Sequence, residues 1–502
     1  MSVTLLGFAL IPLCLAFCLK PLRLLQLMLL ASIFEAAAAL DFGSFGLQPS
    51  LVPSMLFLAF VLLQLLLGAR YTGEREAWRA VLPFVLVTAW AVSGSMLLPR
   101  LFAGQIYVWP QKAEAPFLAV PLEPSGANLT QDIYIVADCA VLLLSALYLS
   151  QSKLNPCQVL NAYLVSGYAV VVVCAWQLAN KLAGLPFPET FFYSNPGWAI
   201  LSSQEVGRVP RISGPFSEPA ALASYLSGIV CATGWMVLKG HPGRSVRALL
   251  VLALGAMLVS TSTTGFGVLG TLAVGVPVYA MLRGSRRLLG RVLLAGAVLA
   301  AIAGVGALAT SSLLPDVGRA AQEVIAATLS KQESSSYQDR TSTDLDSLAV
   351  VLPTYGLGVG WGSNRSSSLI PGMLASLGVY GTLGLVWFAF GVARRACQAR
   401  RLARDPADVR AIDGGAGAVV GSIAAALLSG PSIASVSFYV MLGLLIGSAA
   451  RITTEARVRR RLPNALGCTS RLPDRPIFSA LAERDLLYSQ GIQTAQPRAE
   501  RG

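Results

Sequence analysis

The stretch "RVPRISGPFSEPAALASYL" (208–226) gathers Arg208, Arg211 and Glu218 in a chain that is 55% hydrophobic and only 13% charged. A guanidinium presents planar paired donors that match the oxygens of a phosphate, and it stays charged at any physiological pH. A carboxylate beside it is suited to take a proton from an attacking hydroxyl. A second group follows in "DRTSTDLDSL", with Asp339, Arg340 and Asp344, and Arg365 lies farther on. Glu35 and Asp138 fall inside apolar runs, where ionisable groups usually face a cavity or a partner. These residues suit a polar cavity handling a phosphorylated substrate, with Glu218 as first choice of base and Asp339 and Asp344 behind it. A capped helix with an Arg-Glu surface pair would place Arg211 and Glu218 equally well.

The elements that hold these residues are set by hydropathy, which averages +0.64. Apolar runs recur, each near the ~20 residues a helix needs to cross a bilayer, and they do not alternate faces as soluble helices do. The expected fold is an all-α polytopic membrane protein of about 12–14 transmembrane helices. The candidate spans are 3–19, 24–40, 51–69, 80–98, 131–150, 158–180, 217–238, 247–262, 264–282, 292–312, 368–391, 414–430 and 433–450. The first lacks a preceding basic residue and reads as a retained helix. Residues 1–450 then form one integral membrane domain and 451–502 a basic tail on the cytoplasmic side.

Basic residues orient the bundle, because cytoplasmic loops carry the excess of Lys and Arg. With the N-terminus outside, 29 of the 38 fall on the inner side. The other nine are Arg100, Lys112, Lys181, Arg208, Arg211, Arg319, Lys331, Arg340 and Arg365. The net charge of +13 is thus accounted for by topology and headgroup contact, and no nucleic-acid partner is expected. Glu35 and Asp138 are expected five and seven residues from the outer ends of their spans, roughly 8 and 10 Å deep. The inner halves of the spans carry almost no ionisable residues, which favours chemistry at the outer mouth over passage through the membrane.

Three outer segments, 99–130, 181–216 and 313–367, exceed simple turns and are where function is sought. "LLPDVGRAAQEVIAATLSKQ" in the third reads as a helix lying on the membrane surface. The run "GLGVGWG" (Gly356–Gly362) lacks dinucleotide-binding spacing and reads as a turn where backbones approach closely. "STSTTG" (Ser260–Gly265) offers hydroxyls at the outer surface for sugar or phosphate contact. The eight cysteines are scattered without a CxxC pair, and the single histidine, His241, lies in an inner loop, so neither a zinc site nor structural disulfides are expected. Asn128 and Asn364 head glycosylation sequons of little weight.

"RISGPFSEPAALASYL", then "VSTSTTGFGVLG", then "DRTSTDLDSL" and "YGLGVGWGSNRSSSLIPGMLASLGVYGTLGL" together resemble the O-antigen polymerase and ligase family of bacterial envelopes, over roughly residues 205–390. The resemblance implies a GT-C-like membrane fold in the inner membrane. It also implies transfer of glycans from undecaprenyl diphosphate on the periplasmic side without metal or cofactor. Arg211 and Arg340 match the family's diphosphate-binding arginines, with Arg208 and Arg365 weaker matches. Where the ligase branch carries a histidine near "NRSSSLIPG" this chain has none, which favours a polymerase of lipid-linked repeat units. A ligase and a lipid-linked glycan flippase remain the alternatives. A separate flippase and a chain-length-regulating co-polymerase are the partners such an enzyme would have.

Overall fold

The computed structural model describes residues 2–43, 45–111, 118–201, 205–206, 209–241, 243–294, 296–297 and 335–465, with backbone alone at 205–206, 209–210, 335–336 and 461–465. In chain order come α1 (Leu5–Ala16), α2 (Pro21–Ala31), α3 (Leu51–Leu66), α4 (Glu74–Leu101), α5 (Gly126–Tyr148) and α6 (Cys157–Ala183). The single turn α7 (Glu189–Phe192) leads to α8 (Pro219–Lys239), α9 (Arg244–Val259) and α10 (Thr263–Leu282). After these stand α11 (Ser335–Ala349), α12 (Leu369–Leu402), α13 (Pro406–Leu428) and α14 (Val436–Ala465). Among the described residues 8 helices are long and apolar enough to cross a membrane: α4, α5, α6, α8, α10, α12, α13 and α14. The chain is a mostly helical, multi-pass membrane protein. Apolar surface on all sides suits helices that meet lipid on one side and one another on the other, with backbone bonds closed internally.

The apolar window of α14 is buried throughout, and the helix packs against α4, α5, α12 and α13 as the central pole. Glycines set the closest contacts. A Cβ at Gly421 of α13 would stand 2.2 Å from the Ser227 carbonyl oxygen of α8, and one at Gly417 2.6 Å from that of Cys231. Without a hydrophobic drive between helices in lipid, such close backbone approach is what holds them.

The segments after α2, α4 and α6 and before α12 lie together on one side, here the loop face. Among the described residues it carries three small antiparallel sheets. β1 (Ser2–Val3), β2 (Leu40–Asp41) and β3 (Gly46–Leu47) pair Ser2 with Asp41 and Leu40 with Leu47. β4 (Tyr107–Val108) pairs with β5 (Val120–Pro121), and β6 (Glu205–Val206) with β7 (Val209–Pro210). The opposite, basic face carries Lys239, Arg400 and Arg451.

The glycine run is a turn wedged into the bundle. Gly356, Gly358, Gly360 and Gly362 have φ of 75, 84, 94 and 80°. A Cβ at Gly358 would stand 2.6 Å from the Ala375 carbonyl oxygen, and one at Gly360 2.8 Å from that of Gly94. α12 breaks at Gly378, with φ 68°, where the turn presses against it, and the Trp90 indole donates to the freed Leu377 carbonyl at 2.9 Å.

The described helices correct several expectations. The span 24–40 is helical only to Ala31, because the alanines after it give their backbone groups to neighbouring loops. The amide of Ala38 donates to the Ser194 hydroxyl at 3.1 Å and that of Ala39 to the Leu47 carbonyl at 2.8 Å. Helix propensity loses to these partners, and the small side chains let the Ala36–Ala39 segment sit fully buried. α13 begins at Pro406 rather than 414, and α14 continues past 451 to Ala465, so ionisable residues do enter helices on the basic face. The expected span 292–312 falls largely outside the described residues. The surface helix expected after 313 lies wholly outside them.

Candidate functional site

The site is built on the loop that delivers the chain to α8. Its turn at Gly214, φ +58°, backs onto Cys174 of α6, where a Cβ would come within 2.9 Å of the sulfur. Gln177 of α6 clamps the turn: its Oε1 accepts the amides of Ser213 at 2.9 Å and Gly214 at 2.8 Å. The Tyr193 hydroxyl donates to the Gly214 carbonyl at 2.8 Å. Arg211 and Glu218 therefore project from a fixed segment.

Glu218 is the N-cap of α8, in extended backbone, and Pro219 fills the first helical position. Its carboxylate makes no capping hydrogen bond to the helix amides, so capping does not occupy it. The irregular segment after α2 brings Glu35 alongside. The amide of Ala36 donates to the Pro215 carbonyl at 3.5 Å, and the Ala36 carbonyl accepts from Asn195 at 3.1 Å. Burial pushes the Glu35 carboxyl up to about 7, and the negative charge of Glu218 adds to the shift.

Arg211 is half-buried, and its Nε donates to the Ser260 carbonyl at 3.5 Å. Burial pushes its guanidinium down, Glu218 pulls it back up, and Arg340 of α11 pushes it down again. Glu35, Glu218, Arg211 and Arg340 thus stand each within electrostatic reach of the next. They come from three separate segments of the sequence.

The remaining sequence candidates sit elsewhere. Asp344 accepts the Ser367 amide at 2.7 Å, the Ser368 amide at 3.2 Å and the Ser368 hydroxyl at 2.6 Å, so it ties α11 to the start of α12. Asp339 is exposed on α11, and Arg365 is exposed with its backbone amide on the Trp109 carbonyl at 2.7 Å. Asp138 is buried on α5, twelve residues from the start of that helix, about 18 Å along it. That is deeper than the 10 Å expected, because the helix begins at Gly126. Its neighbours are Tyr439 and Cys139 rather than the arginines. Arg208 lies outside the described residues.

The hydroxyls of "STSTTG" turn inward. Ser260, Ser262 and Thr264 are at most 4% exposed, and the Ser260 hydroxyl donates to the Met257 carbonyl at 2.7 Å. The run therefore presents the Ser260 carbonyl to Arg211 rather than hydroxyls to solvent. Asn128 and Asn364 are buried and serve as ties. Asn128 Nδ2 donates to the Trp361 carbonyl at 2.7 Å, and Asn364 Nδ2 to the Ser347 hydroxyl at 2.8 Å. Gln177 is the residue that sequence reasoning missed. Its one signal was a lone amide near the end of an apolar run.

Among the described residues no group of three or more His, Cys, Asp or Glu side chains is placed to hold a metal ion. No protein-family model matches the chain, and no curated protein is significantly similar to it.

Proposed function

We propose that the chain is a membrane glycosyltransferase that polymerises undecaprenyl-diphosphate-linked oligosaccharide repeat units, with the loop face in the periplasm and a GT-C-like helical fold. The observation that carries this reading is the convergence of Arg211, Arg340, Glu218 and Glu35 at the start of α8. Two cations beside two carboxylates, at the mouth of a membrane bundle, suit a lipid-linked diphosphate that must leave while a hydroxyl is deprotonated.

In the reaction, a sugar hydroxyl of one lipid-linked unit attacks the anomeric carbon of the growing chain. The new C–O bond forms as the bond to the diphosphate oxygen breaks, and the electron pair departs with undecaprenyl diphosphate. Charge builds on the leaving group, so Arg211 and Arg340 stabilise the transition state more than the ground state. The hydroxyl proton goes to the Glu218–Glu35 pair. Glu218, beside Arg211, is placed to receive it.

The test is purified protein with synthetic undecaprenyl-diphosphate oligosaccharide in EDTA, read as a ladder on a gel. A ladder is the expected outcome. With a donor shown to be intact, no ladder refutes polymerisation, and transfer to an added lipid A-core acceptor would then establish ligation.

A further inference from the structure

Charge is not spread evenly over the basic face. Around α4 and α14 the carboxylates hold arginines: Glu74 with Arg70 at 3.0 Å, Glu76 with Arg79 at 3.4 Å and Arg457 at 2.5 Å, and Asp408 and Glu455 with Arg451. Where α8 and α10 end, the balance inverts. Lys239 closes α8, Arg283 follows α10, Arg291 comes from the segment past it, and Arg400 stands near the end of α12. Asp413 of α13 is the carboxylate in their midst, and it already accepts from His241 and Arg400. Among the described residues no carboxylate forms an ion pair with Lys239, Arg283 or Arg291.

Direct contacts join these cations. Lys239 Nζ stands 4.4 Å from the centre of the Trp235 ring, one turn earlier on α8. Trp235 meets Tyr279 of α10 edge to face, with ring centres 5.6 Å apart, and the Arg283 guanidinium lies 5.6 Å from the Tyr279 centre. The two aromatic rings thus bridge the two cations, each held by a ring's electron-rich face. Arg291 Nη1 donates to the Leu238 carbonyl at 2.7 Å and closes on the turn at Gly240, where a Cβ would meet it at 2.9 Å. Lys239 is within electrostatic reach of Asp413, Arg400 and Arg283. A helix C-terminus favours one cation near it. Arg291 and Arg400, crowded beside the two that end α8 and α10, exceed that need.

An apolar surface adjoins the charges. Val274, Val278, Met281 and Leu282 of α10 are all exposed, and no described residue covers them. Trp235 and Tyr279 stand between this bare stretch and the cations, where amphipathic rings sit at headgroup level. A free phosphate would meet the cations and leave the apolar stretch unused. A zwitterionic lipid would bring its own ammonium among them. A lipid of net negative charge answers both features, its phosphate oxygens matching ammonium and guanidinium donors and its acyl chains matching α10.

We propose that the ends of α8 and α10 form a binding site for an anionic phospholipid of the leaflet on the basic face, with its phosphate among Lys239, Arg283 and Arg291 and its acyl chains along α10. Arg400 adds charge from the side while it remains bound to Asp413. The site does not depend on the glycosyltransferase reading.

The experiment is native mass spectrometry of the purified full chain in a non-ionic detergent, titrated with phosphatidylglycerol, phosphatidylcholine or inorganic phosphate. Phosphatidylglycerol should saturate one site and bind roughly tenfold or more tightly than phosphatidylcholine, and an equal concentration of inorganic phosphate should not displace it. Arg283→Gln should weaken phosphatidylglycerol about fivefold, and Lys239→Gln with Arg283→Gln roughly tenfold or more. Arg70→Gln with Arg79→Gln removes the same charge from the same face and should leave binding within about twofold. Arg283 is exposed, so its single variant carries the test if the double variant does not fold. Equal binding of the two lipids, displacement by phosphate, undiminished binding in a folded Arg283→Gln, or an equal loss in the Arg70 and Arg79 variant would overturn the proposal.

Discussion

The two ends of the bundle treat charge differently. On the basic face the carboxylates are matched at short range. Asp413 of α13 accepts from His241 at 2.7 Å and from Arg400 at 2.9 Å, and Asp408 holds Arg451. The Asp413 side chain is 5% exposed, which suits a fixed tie between α8, α12 and α13. On the loop face Glu218 makes no capping bond, Glu35 lies within the field of that same carboxylate, and Arg211 feels Arg340 as well as Glu218. Like charges have been brought together there. Such an arrangement costs stability in the free protein and is relieved when an anion meets the arginines and a proton meets the carboxylates.

The sharpest way to break this comparison is to remove charge from the loop face. Arg211→Ala should cut ladder formation by about 10²-fold or more, since one positioned donor to a developing anion is worth that much. Arg340→Ala should lose a similar amount, and Glu218→Gln should also stop elongation. All three should remain inserted and abundant in membranes, because the helix packing around α14 rather than this cluster holds the bundle. A normal chain-length distribution from the Arg211 variant would show that the arginines serve structure on this face too.

Glu35 sharpens the comparison by pH. Its carboxyl sits up at about 7, so the proton-accepting form of the pair gains population as pH rises through that value. Elongation rate should climb between pH 6 and 8 and level off above, in steps of up to about tenfold per unit on the rising limb. Glu35→Gln should erase that inflection. The stability sign is the reverse. The folded state favours the protonated acid, so the stabilisation is complete below the ordinary carboxyl range and lost as pH rises through about 7. Glu35→Gln should accordingly melt higher than wild type at pH 8 and no differently at pH 4.

Asp413→Asn tests the basic face. It should lower the melting temperature in detergent while leaving elongation per folded molecule within about twofold, because the pair holds helices rather than substrate. Arg400 is 38% exposed and regains water, so the loss should be on the order of 1–3 kcal/mol rather than that of a fully buried pair. A large fall in elongation without a fall in stability would move function to this face.

What was legible in the sequence follows from which forces act locally. Apolar runs long enough to span are read directly, since each helix closes its own backbone bonds whatever its neighbours do. The glycine run was legible as a close-packed turn for the same reason: left-handed φ and a missing Cβ are local demands. The break after Ala31 was not. An alanine-rich segment has every local reason to be helical, and it is unwound by Ser194 and Pro215, distant in sequence, together with Leu47 across the next turn. Glu35 could be flagged as an acid in an apolar run, yet its approach to Glu218 depends on that unwinding. Asp344 shows the converse error. The sequence offered it as a base ranked behind Glu218, and its two oxygens accept the amides and hydroxyl that start α12.

Arg365 separates proximity in sequence from a place in the site, and its effect should be the smallest. It shares the third long loop with Arg340, and from the pattern alone it competes with it for a phosphate. Its side chain is exposed, while its backbone amide and the neighbouring Asn364 are bound to the β4–β5 segment through Trp109. The fold thus uses this residue's main chain, which any side chain supplies, and holds its guanidinium where water screens it. Arg365→Ala should therefore change elongation by less than about threefold, with that change shrinking further as salt is raised. A loss as deep as that of Arg211→Ala, insensitive to salt, would mean that the loop closes over the substrate and carries Arg365 into the cluster at the start of α8.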